Sequence, residues 1–263
     1  MQGFGFSAAG LVVGVAVGAT GVGGGSLMTP ILILFYGISP AVAVGTDLLY
    51  ASISKSWGVV LHRQRGTLAW DIVGKLALGS VPASLLALYW LHSVGSSTQL
   101  DHIIKLTLAC AVIVTATFTL LQDMLLKRLS SLGTAAAFVA RHQFVGTVLS
   151  GVLVGAVVTI SSVGAGVIGM MLLLLLYPRH TPIRLVGADL AHAVLITAIA
   201  GIGHARLGTV DWHMLGFLLI GALPGIWLGS RIGFRLDAKA LKRVISGLLI
   251  LVGGMTLYKA LAG

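Results

Sequence analysis

The chain contains ten apolar segments, and their lengths constrain the fold more than any other feature of the sequence. A helix that crosses a bilayer needs about 20 apolar residues, with roughly 17 as the lower limit. The second and seventh segments are too short, and a glycine-rich break, Gly21–Gly25 or Ser161–Gly166, joins each to its predecessor. Each pair therefore predicts a broken or re-entrant element whose irregular backbone is buried in protein. The segments are approximately Phe4–Thr20, Ser26–Tyr36, Ala41–His62, Trp70–Leu91, His102–Leu121, Phe144–Ile160, Val167–Tyr177, Pro182–His204, Trp212–Ile232 and Val244–Leu261.

The composition excludes a soluble protein of this length. Of the 263 residues, 57% are hydrophobic and 9% are charged, whereas a soluble domain carries about 25% charged residues. The net charge of +10 does not indicate a nucleic-acid partner, because the basic residues lie mainly in short gaps between apolar segments. Cys110 is the only cysteine, which excludes a disulfide framework within one chain. The first residues lack the basic start of a cleaved signal peptide, so we expect the first segment in the mature protein.

The chain repeats itself in polar residues as well as in apolar ones. Unrelated apolar helices align by leucine and alanine, and rarely also match at Asp, His, Trp and Pro. The sequence predicts two halves of five segments each, residues 1–122 and 144–263, with a cytoplasmic connecting loop at 123–143. A shift of 142 places Pro40 on Pro182, Asp47 on Asp189, His62 on His204, Trp70 on Trp212 and Pro82 on Pro224, and a shift of 141 aligns the two breaks.

Five segments per half is an odd number, so the second half is predicted to enter the membrane from the opposite side. The distribution of basic residues agrees, and by the positive-inside rule both termini lie outside. The predicted fold is an all-α polytopic membrane protein of two inverted five-segment repeats, with broken or re-entrant helices at the midplane. One side holds Arg63, Arg65, Lys127, Arg128, Arg141, Arg179, Arg184, Arg231, Arg235, Lys239, Lys242 and Arg243, and the other holds Lys105, Arg206 and Lys259.

The two breaks are the predicted substrate site. A helix that begins inside the membrane presents unpaired N–H groups and about half a positive charge at its N-terminus, which suits an anion. The alternative is that these glycines only allow close packing, the role that we predict for the glycine stripes at 10, 14 and 18 and at 221, 225 and 229. The candidate binding residues are Thr20, Gly23, Gly24, Gly25 and Ser26 in the first break and Ser161, Ser162, Gly164 and Gly166 in the second.

Asp47 and Asp189 are the second pair of candidates. Each lies seven residues after the proline that opens its helix, and so lies inside the membrane. An intramembrane carboxylate is a functional candidate because burying its charge is costly. Each one either couples transport to protons or caps the neighbouring broken helix. Tyr50 and His192 occupy equivalent positions one turn further on and are predicted to gate or couple the site, with packing as the alternative for His192.

Lys55 has no counterpart, because Thr197 stands at the equivalent position. Lys55 lies two helical turns from Asp47, so both side chains are able to face one cavity. It is predicted either to attract an anion as a fixed positive charge or to extend towards the basic face of the membrane. The Gly-Thr corners that follow His62 and His204 are predicted to be structural.

Three motifs resemble the TauE/SafE family of sulfite exporters, and the resemblance covers nearly the whole chain. They are GVGGGSLMTP at Gly21–Pro30, GTDLLY at Gly45–Tyr50 with Lys55 beyond it, and SSVGAG at Ser161–Gly166. The resemblance implies an inner-membrane carrier, of the kind found in bacterial-type cells, for a small sulfur-containing anion such as sulfite or an organosulfonate. Because the second half lacks a match to Lys55, this residue is the one that we expect to distinguish substrates.

The predicted function is a secondary transporter, with export as the expected direction, coupled to protons or to the membrane potential. The alternatives are a passive anion channel on the same scaffold and an intramembrane aspartyl hydrolase that uses Asp47 and Asp189. Neither aspartate lies in the Tyr-Asp or Gly-x-Gly-Asp setting of intramembrane aspartyl proteases. We expect no cofactor and no metal. The expected partners are the anion and the lipid bilayer, and the oligomeric state is open, a homodimer included.

Overall fold

The computed structural model describes residues 2–20, 25–94, 98–130, 142–233, 246–247 and 249–258, and regular structure within these ranges is entirely helical. This confirms the predicted all-α fold. Six basic residues of the predicted charge distribution, Arg141, Arg235, Lys239, Lys242, Arg243 and Lys259, lie outside the described ranges. The helices are α1 (Gln2–Thr20), α2 (Gly25–Phe35), α3 (Pro40–Gln64), α4 (Trp70–Val94), α5 (Thr98–Ser130), α6 (Gln143–Ser161), α7 (Val167–Leu176), α8 (Pro182–Arg206), α9 (Trp212–Gly233) and α10 (Leu249–Tyr258).

The lengths of the helices match a multi-pass membrane protein. Among the described residues, five helices are long and apolar enough to cross a membrane, namely α4, the Asp101–Leu121 part of α5, α6, α8 and α9. Helix α3 has 25 residues, yet it carries Asp47 and Lys55, both of which are buried inside the protein. Helix α5 continues past the predicted end of its apolar segment at Leu121, because the stretch up to Ser130 contains no glycine or proline to end it.

Each short helix folds back along the long helix that precedes it. The Tyr36 hydroxyl, just after α2, donates to the Gly5 carbonyl near the start of α1 at 2.7 Å. In the same way, Gln143 Nε2 at the start of α6 donates to the Leu176 carbonyl at the end of α7 at 2.7 Å. At about 1.5 Å per residue, helices of 11 and 10 residues extend about half-way across a core roughly 30 Å thick. The second break, at the tip of the α6–α7 hairpin, therefore lies deep in the protein.

Glycines bring two pairs of helices into backbone contact. Helix α1 packs on α9, and the equivalent helices α6 and α4 pack on each other in the same way. A Cβ atom at any glycine of these contacts would overlap the backbone of the facing helix. The packing role predicted for the two glycine stripes is confirmed. The contacts involve Gly10, Gly14, Gly18, Gly221, Gly225 and Gly229 between α1 and α9, and Gly79, Gly151 and Gly155 between α4 and α6.

Helices α3 and α8 cross in the centre of the protein and run antiparallel. Gly45, near the start of α3, lies against the backbone of Thr209, just beyond the end of α8. Gly187, near the start of α8, lies against Thr67, just beyond the end of α3. Because α3 and α8 are equivalent at the shift of 142, their antiparallel packing is the relation that an inverted repeat requires.

The two corners that follow α3 and α8 share one hydrogen-bond pattern. His62 Nδ1 lies 2.8 Å from Thr67 Oγ1, and His204 Nδ1 lies 2.8 Å from Thr209 Oγ1. The glycine of each corner has a left-handed backbone, with φ of +63° at Gly66 and of +74° at position 208, which favours glycine because it has no Cβ. The structure supports the structural role predicted for these corners.

Candidate functional site

A buried polar cluster lies where α2, α3 and α8 meet the tip of the α6–α7 hairpin. Each of its side chains is at most 8% exposed. Polar groups are rarely buried at this density in an apolar protein unless they bind one another or a ligand. The cluster consists of Thr29, Asp47, Tyr50, Lys55, Ser162, Asp189 and His192.

Asp47 connects the two halves of the chain. Pro40 opens α3 and sets Asp47 two turns into the helix, at the depth of the hairpin tip. Thr29 of α2 donates its hydroxyl proton to Asp47 Oδ2 at 2.5 Å. Ser162 of the second break donates to the same oxygen at 3.0 Å. A charged acceptor strengthens both hydrogen bonds, so Asp47 holds the second break against the first half.

The backbone of the second break explains why Ser162 faces Asp47. Ser162 ends α6 with φ of +60°, and a left-handed residue with a side chain costs about 1–2 kcal/mol. Gly164 and Gly166 follow with φ of +111° and +132°. Ser161 serves the break locally, because its hydroxyl donates to the Val157 carbonyl at 2.7 Å.

Lys55 reaches the other side of the same break. Its ammonium group donates to the Ala165 carbonyl at 2.7 Å, and the side chain is buried in the protein interior. Ala165 directly precedes Gly166, the N-cap residue of α7, which has no side-chain cap. Lys55 interacts electrostatically with Asp189 and Asp47 and forms a direct ion pair with neither. A fixed cation thus lies beside the positive end of a helix.

Asp189 and His192 occupy different surroundings on α8. Asp189 Oδ1 lies over Gly169 of α7, where a Cβ atom would overlap it, and no hydrogen bond from the described part of the chain reaches this carboxylate. His192 Nε2 lies 2.8 Å from the Ser80 hydroxyl of α4. That contact supports the packing alternative for His192, whereas the role of Asp189 stays a prediction.

Most of the first break lies outside the described residues. Gly23 and Gly24 lie outside the described residues, as does the side chain of Thr20, the last residue of α1. Helix α2 begins at Gly25, and Ser26 is buried at its start. The binding role of the first break stays a prediction.

Three contributors to the cluster were not singled out from the sequence. They are Thr29, which binds Asp47, Ser80, which binds His192, and Gly169, which makes room for Asp189. A hydroxyl or a glycine within an apolar helix usually serves packing, so the sequence carries little signal for them. The usable clue for Thr29 is its place directly before Pro30, inside the motif at Gly21–Pro30.

Comparison with known proteins places the chain among membrane transporters. The family model described as "Sulfite exporter TauE/SafE" matches residues 6–256. "Probable membrane transporter protein YjnA" of Bacillus subtilis (strain 168) is 36% identical over 249 residues, covering 94% of this chain and 96% of that protein. A "Probable membrane transporter protein" of Xylella fastidiosa (strain 9a5c) is 25% identical over 247 residues, covering 91% and 88%. No solved structure matches the chain.

Proposed function

The chain belongs to the sulfite exporter TauE/SafE family of membrane transporters, and from this premise we propose that it carries a small sulfur-containing anion, such as sulfite or an organosulfonate. The proposed direction is export, and the proposed location is the inner membrane with both termini outside. The family model and the names of the relatives point to a transporter rather than an enzyme, which favours transport over the hydrolase alternative.

The observation that carries the proposal is the position of Lys55 at the start of α7. The ammonium group binds the Ala165 carbonyl at 2.7 Å, beside an N-terminus without a side-chain cap. A cation and a positive helix end repel each other, and an anion between them relieves that repulsion. At an effective dielectric constant of about 20, a unit anion 4 Å from Lys55 gains about 4 kcal/mol of Coulomb energy. The anion would take the place of the Ala165 carbonyl as the acceptor.

The two carboxylates around Lys55 suggest how transport is driven. When Asp189 and Asp47 are both ionised, their two negative charges exceed the single positive charge of Lys55. A bound anion then adds a further negative charge to a buried site that is already negative. Protonation of one carboxylate removes that excess, and we propose Asp189, which receives no hydrogen bond from the described residues. An anion that leaves without a proton is instead driven out by the membrane potential, at about 2.3 kcal/mol per charge for each 100 mV.

Counterflow in proteoliposomes tests the function directly. Vesicles are preloaded separately with unlabelled sulfite, taurine, sulfoacetate, sulfate or lactate, and uptake of the same labelled anion is followed. A carrier for sulfur oxyanions gives saturable, transient accumulation with sulfite or a sulfonate and none with lactate. A passive channel gives equilibration without accumulation, and folded protein that is inactive with all five anions would refute the proposed substrate class.

Replacing Lys55 separates the anion site from the scaffold. We expect Lys55→Met to raise the half-saturating anion concentration by at least about tenfold, which corresponds to about 1.4 kcal/mol. The matched control is Lys75→Met, because Lys75 is partly exposed on α4 and pairs with Asp71 at 3.7 Å. Unchanged half-saturation in folded Lys55→Met protein would remove Lys55 from the site.

A further inference from the structure

The second break has a negative side as well as a positive one. Helix α6 ends at this break, and its C-cap residue Ser162 touches Asp47 at 3.0 Å. The C-terminal end of a helix carries about half a negative charge together with carbonyl groups that lack intrahelical donors. Asp47 is fully buried, so its carboxylate and the end of α6 repel each other in a medium that screens charge poorly. A cation between them removes this repulsion.

Two oxygen atoms at this place have no hydrogen-bond partner among the described residues. They are Asp47 Oδ1 and the Tyr50 hydroxyl oxygen, on side chains that are 0% and 1% exposed. Tyr50 lies nearly one turn after Asp47 on α3, and the two groups interact electrostatically. Buried polar atoms of native proteins are almost always satisfied, so an unsatisfied carboxylate oxygen and an unsatisfied phenol oxygen on neighbouring turns of α3 mark a place for a ligand.

The side-chain hydrogen bonds that Asp47 receives both come from hydroxyl groups. Thr29 and Ser162 give their hydroxyl protons to Asp47 Oδ2, which leaves their oxygen lone pairs available. Of the last four carbonyls of α6, those of Val158 and Thr159 already accept hydrogen bonds, which leaves those of Ile160 and Ser161 as further candidate oxygens. Oxygen-only sets prefer hard cations, and a single carboxylate balances one positive charge. Broken helices of transporters bind Na⁺ with such carbonyls and helix C-termini.

We propose that Asp47, Tyr50, Thr29 and Ser162 form a Na⁺ site at the C-terminal end of α6, whereas Lys55 contacts the break at Ala165. The site was not expected from the sequence, because hydroxyl and phenol oxygens scattered over three helices have no characteristic spacing. Lys55 acts electrostatically on Asp47 and so opposes a cation there. An anion bound at Lys55 offsets that opposition, so each ion favours binding of the other. This coupling rests on the proposed function, whereas the Na⁺ site does not.

Thermal unfolding of the purified protein tests the site without transport. Melting temperatures are compared in NaCl, KCl and choline chloride at equal ionic strength and pH. We expect a saturable increase that is specific to Na⁺, because a ligand of the folded state stabilises it. Tyr50→Phe removes one oxygen ligand and should weaken the binding of Na⁺ by at least about tenfold. Asp47→Asn should abolish the increase in melting temperature.

The matched control is Tyr177→Phe. Tyr177 is as deeply buried as Tyr50, but its hydroxyl is bonded to Thr147 at 2.9 Å, away from Asp47. This variant should show the same Na⁺-dependent increase in melting temperature as the unmodified protein. Equal melting temperatures in the three salts overturn the proposal, as does a Na⁺ effect that persists in Tyr50→Phe and Asp47→Asn. If Asp47→Asn does not fold, Tyr50→Phe decides. A stability that follows pH and ignores Na⁺ also overturns it and assigns the unsatisfied oxygen to a proton.

Counterflow with and without Na⁺ distinguishes this proposal from the proposed function. Anion counterflow that requires Na⁺ and fails in choline supports both. If counterflow is equal in Na⁺ and in choline, and Na⁺ does not change the melting temperature, the proposed anion carrier stands and the Na⁺ site is refuted. If Na⁺ raises the melting temperature but no anion shows counterflow, the proposed Na⁺ site stands and the proposed substrates are refuted.

Discussion

Ser162 shows how one residue serves both the backbone and the site. Its left-handed conformation turns the chain at the end of α6, and the same turn directs its hydroxyl to Asp47. Glycine fits the backbone better, because it adopts this conformation without a steric cost. Glycine lacks the hydroxyl, however, so the backbone and the hydrogen bond make opposite demands on this position.

Two substitutions separate these demands. Ser162→Gly and Ser162→Ala both lose the hydroxyl, but only Ala keeps a Cβ in the left-handed region. We expect Ser162→Gly to be more stable than Ser162→Ala by about 1–2 kcal/mol, the reverse of the usual preference within helices. Thermal unfolding of the two proteins in one detergent measures the difference. Equal stability, or a more stable Ala variant, would show that the backbone at 162 is not strained.

At the scale of single residues, the sequence was better at predicting which residues belong to the candidate site than at predicting what those residues contact. Asp47 was identified because a carboxylate is costly inside a membrane, Ser162 because it belongs to the second break, and Lys55 because it lies two helical turns from Asp47 and has no counterpart. The acceptor of Lys55 was not, because it is a backbone carbonyl of Ala165, which every residue carries. Likewise, Ser161 and Ser162 are identical neighbours in the sequence, and only the backbone angle at 162 decides which of them faces Asp47.

Helix packing depends on which glycines face a neighbouring backbone. A Cβ at Gly79 of α4 or at Gly221 of α9 would overlap a carbonyl of the facing helix, whereas a Cβ at Gly74 or Gly216 on the same two helices meets nothing within 4 Å. Both comparisons occur at equivalent positions, since 74 and 79 correspond to 216 and 221 at the shift of 142. The α4–α6 and α1–α9 interfaces therefore each allow the same comparison between a packed glycine and an exposed one.

We expect alanine to have opposite effects at these two kinds of position. Gly79→Ala and Gly221→Ala should each destabilise the protein by about 1–3 kcal/mol, since the helices must move apart. Gly74→Ala and Gly216→Ala should be neutral or more stable by up to about 1 kcal/mol, the gain in helix propensity. Chemical denaturation in detergent measures all four variants. Losses at the exposed pair as large as those at the buried pair would contradict the packing described.

The helices were predictable because hydrophobic runs, prolines and glycines mark where they begin and end. Pro40 and Pro182 open α3 and α8 as expected, and Gly25 begins the short helix α2. The end of α5 was not predictable from hydropathy, because the helix leaves the apolar stretch and continues through Lys127 and Arg128. Hydropathy predicts which residues lie within the membrane, whereas helix propensity predicts where the helix itself ends.

The orientation of the whole molecule was predicted from the odd number of segments per half and from the distribution of basic residues. An odd number of segments per half predicted the inversion, and the antiparallel packing of α3 and α8 fits that prediction. Which face is cytoplasmic depends on the membrane potential and the insertion machinery, which respond to basic residues in loops, and not on contacts within the protein. The predicted outside location of the termini therefore needs a measurement in cells.

Single cysteines report that orientation. With Cys110→Ala as background, Arg65→Cys and Arg206→Cys place one thiol at each of the two equivalent corners, both exposed. In intact cells, a membrane-impermeant maleimide should label position 206 and should label position 65 only after permeabilisation. Labelling of both positions from outside would contradict the inversion. Labelling of position 65 alone would reverse the proposed orientation.

The crossing of α3 and α8 contains a contact between two residues that occupy the same place in their halves. The Ser52 hydroxyl donates to the Val194 carbonyl at 3.4 Å, and these positions are equivalent at the shift of 142. In a symmetric dimer, only residues on the rotation axis meet their own copies. Duplication and fusion of a gene for one five-helix chain, inserted in both orientations, is sufficient to produce this contact. Fusion also allows each copy to diverge, and such divergence would account for a lysine at position 55 where the second half has Thr197.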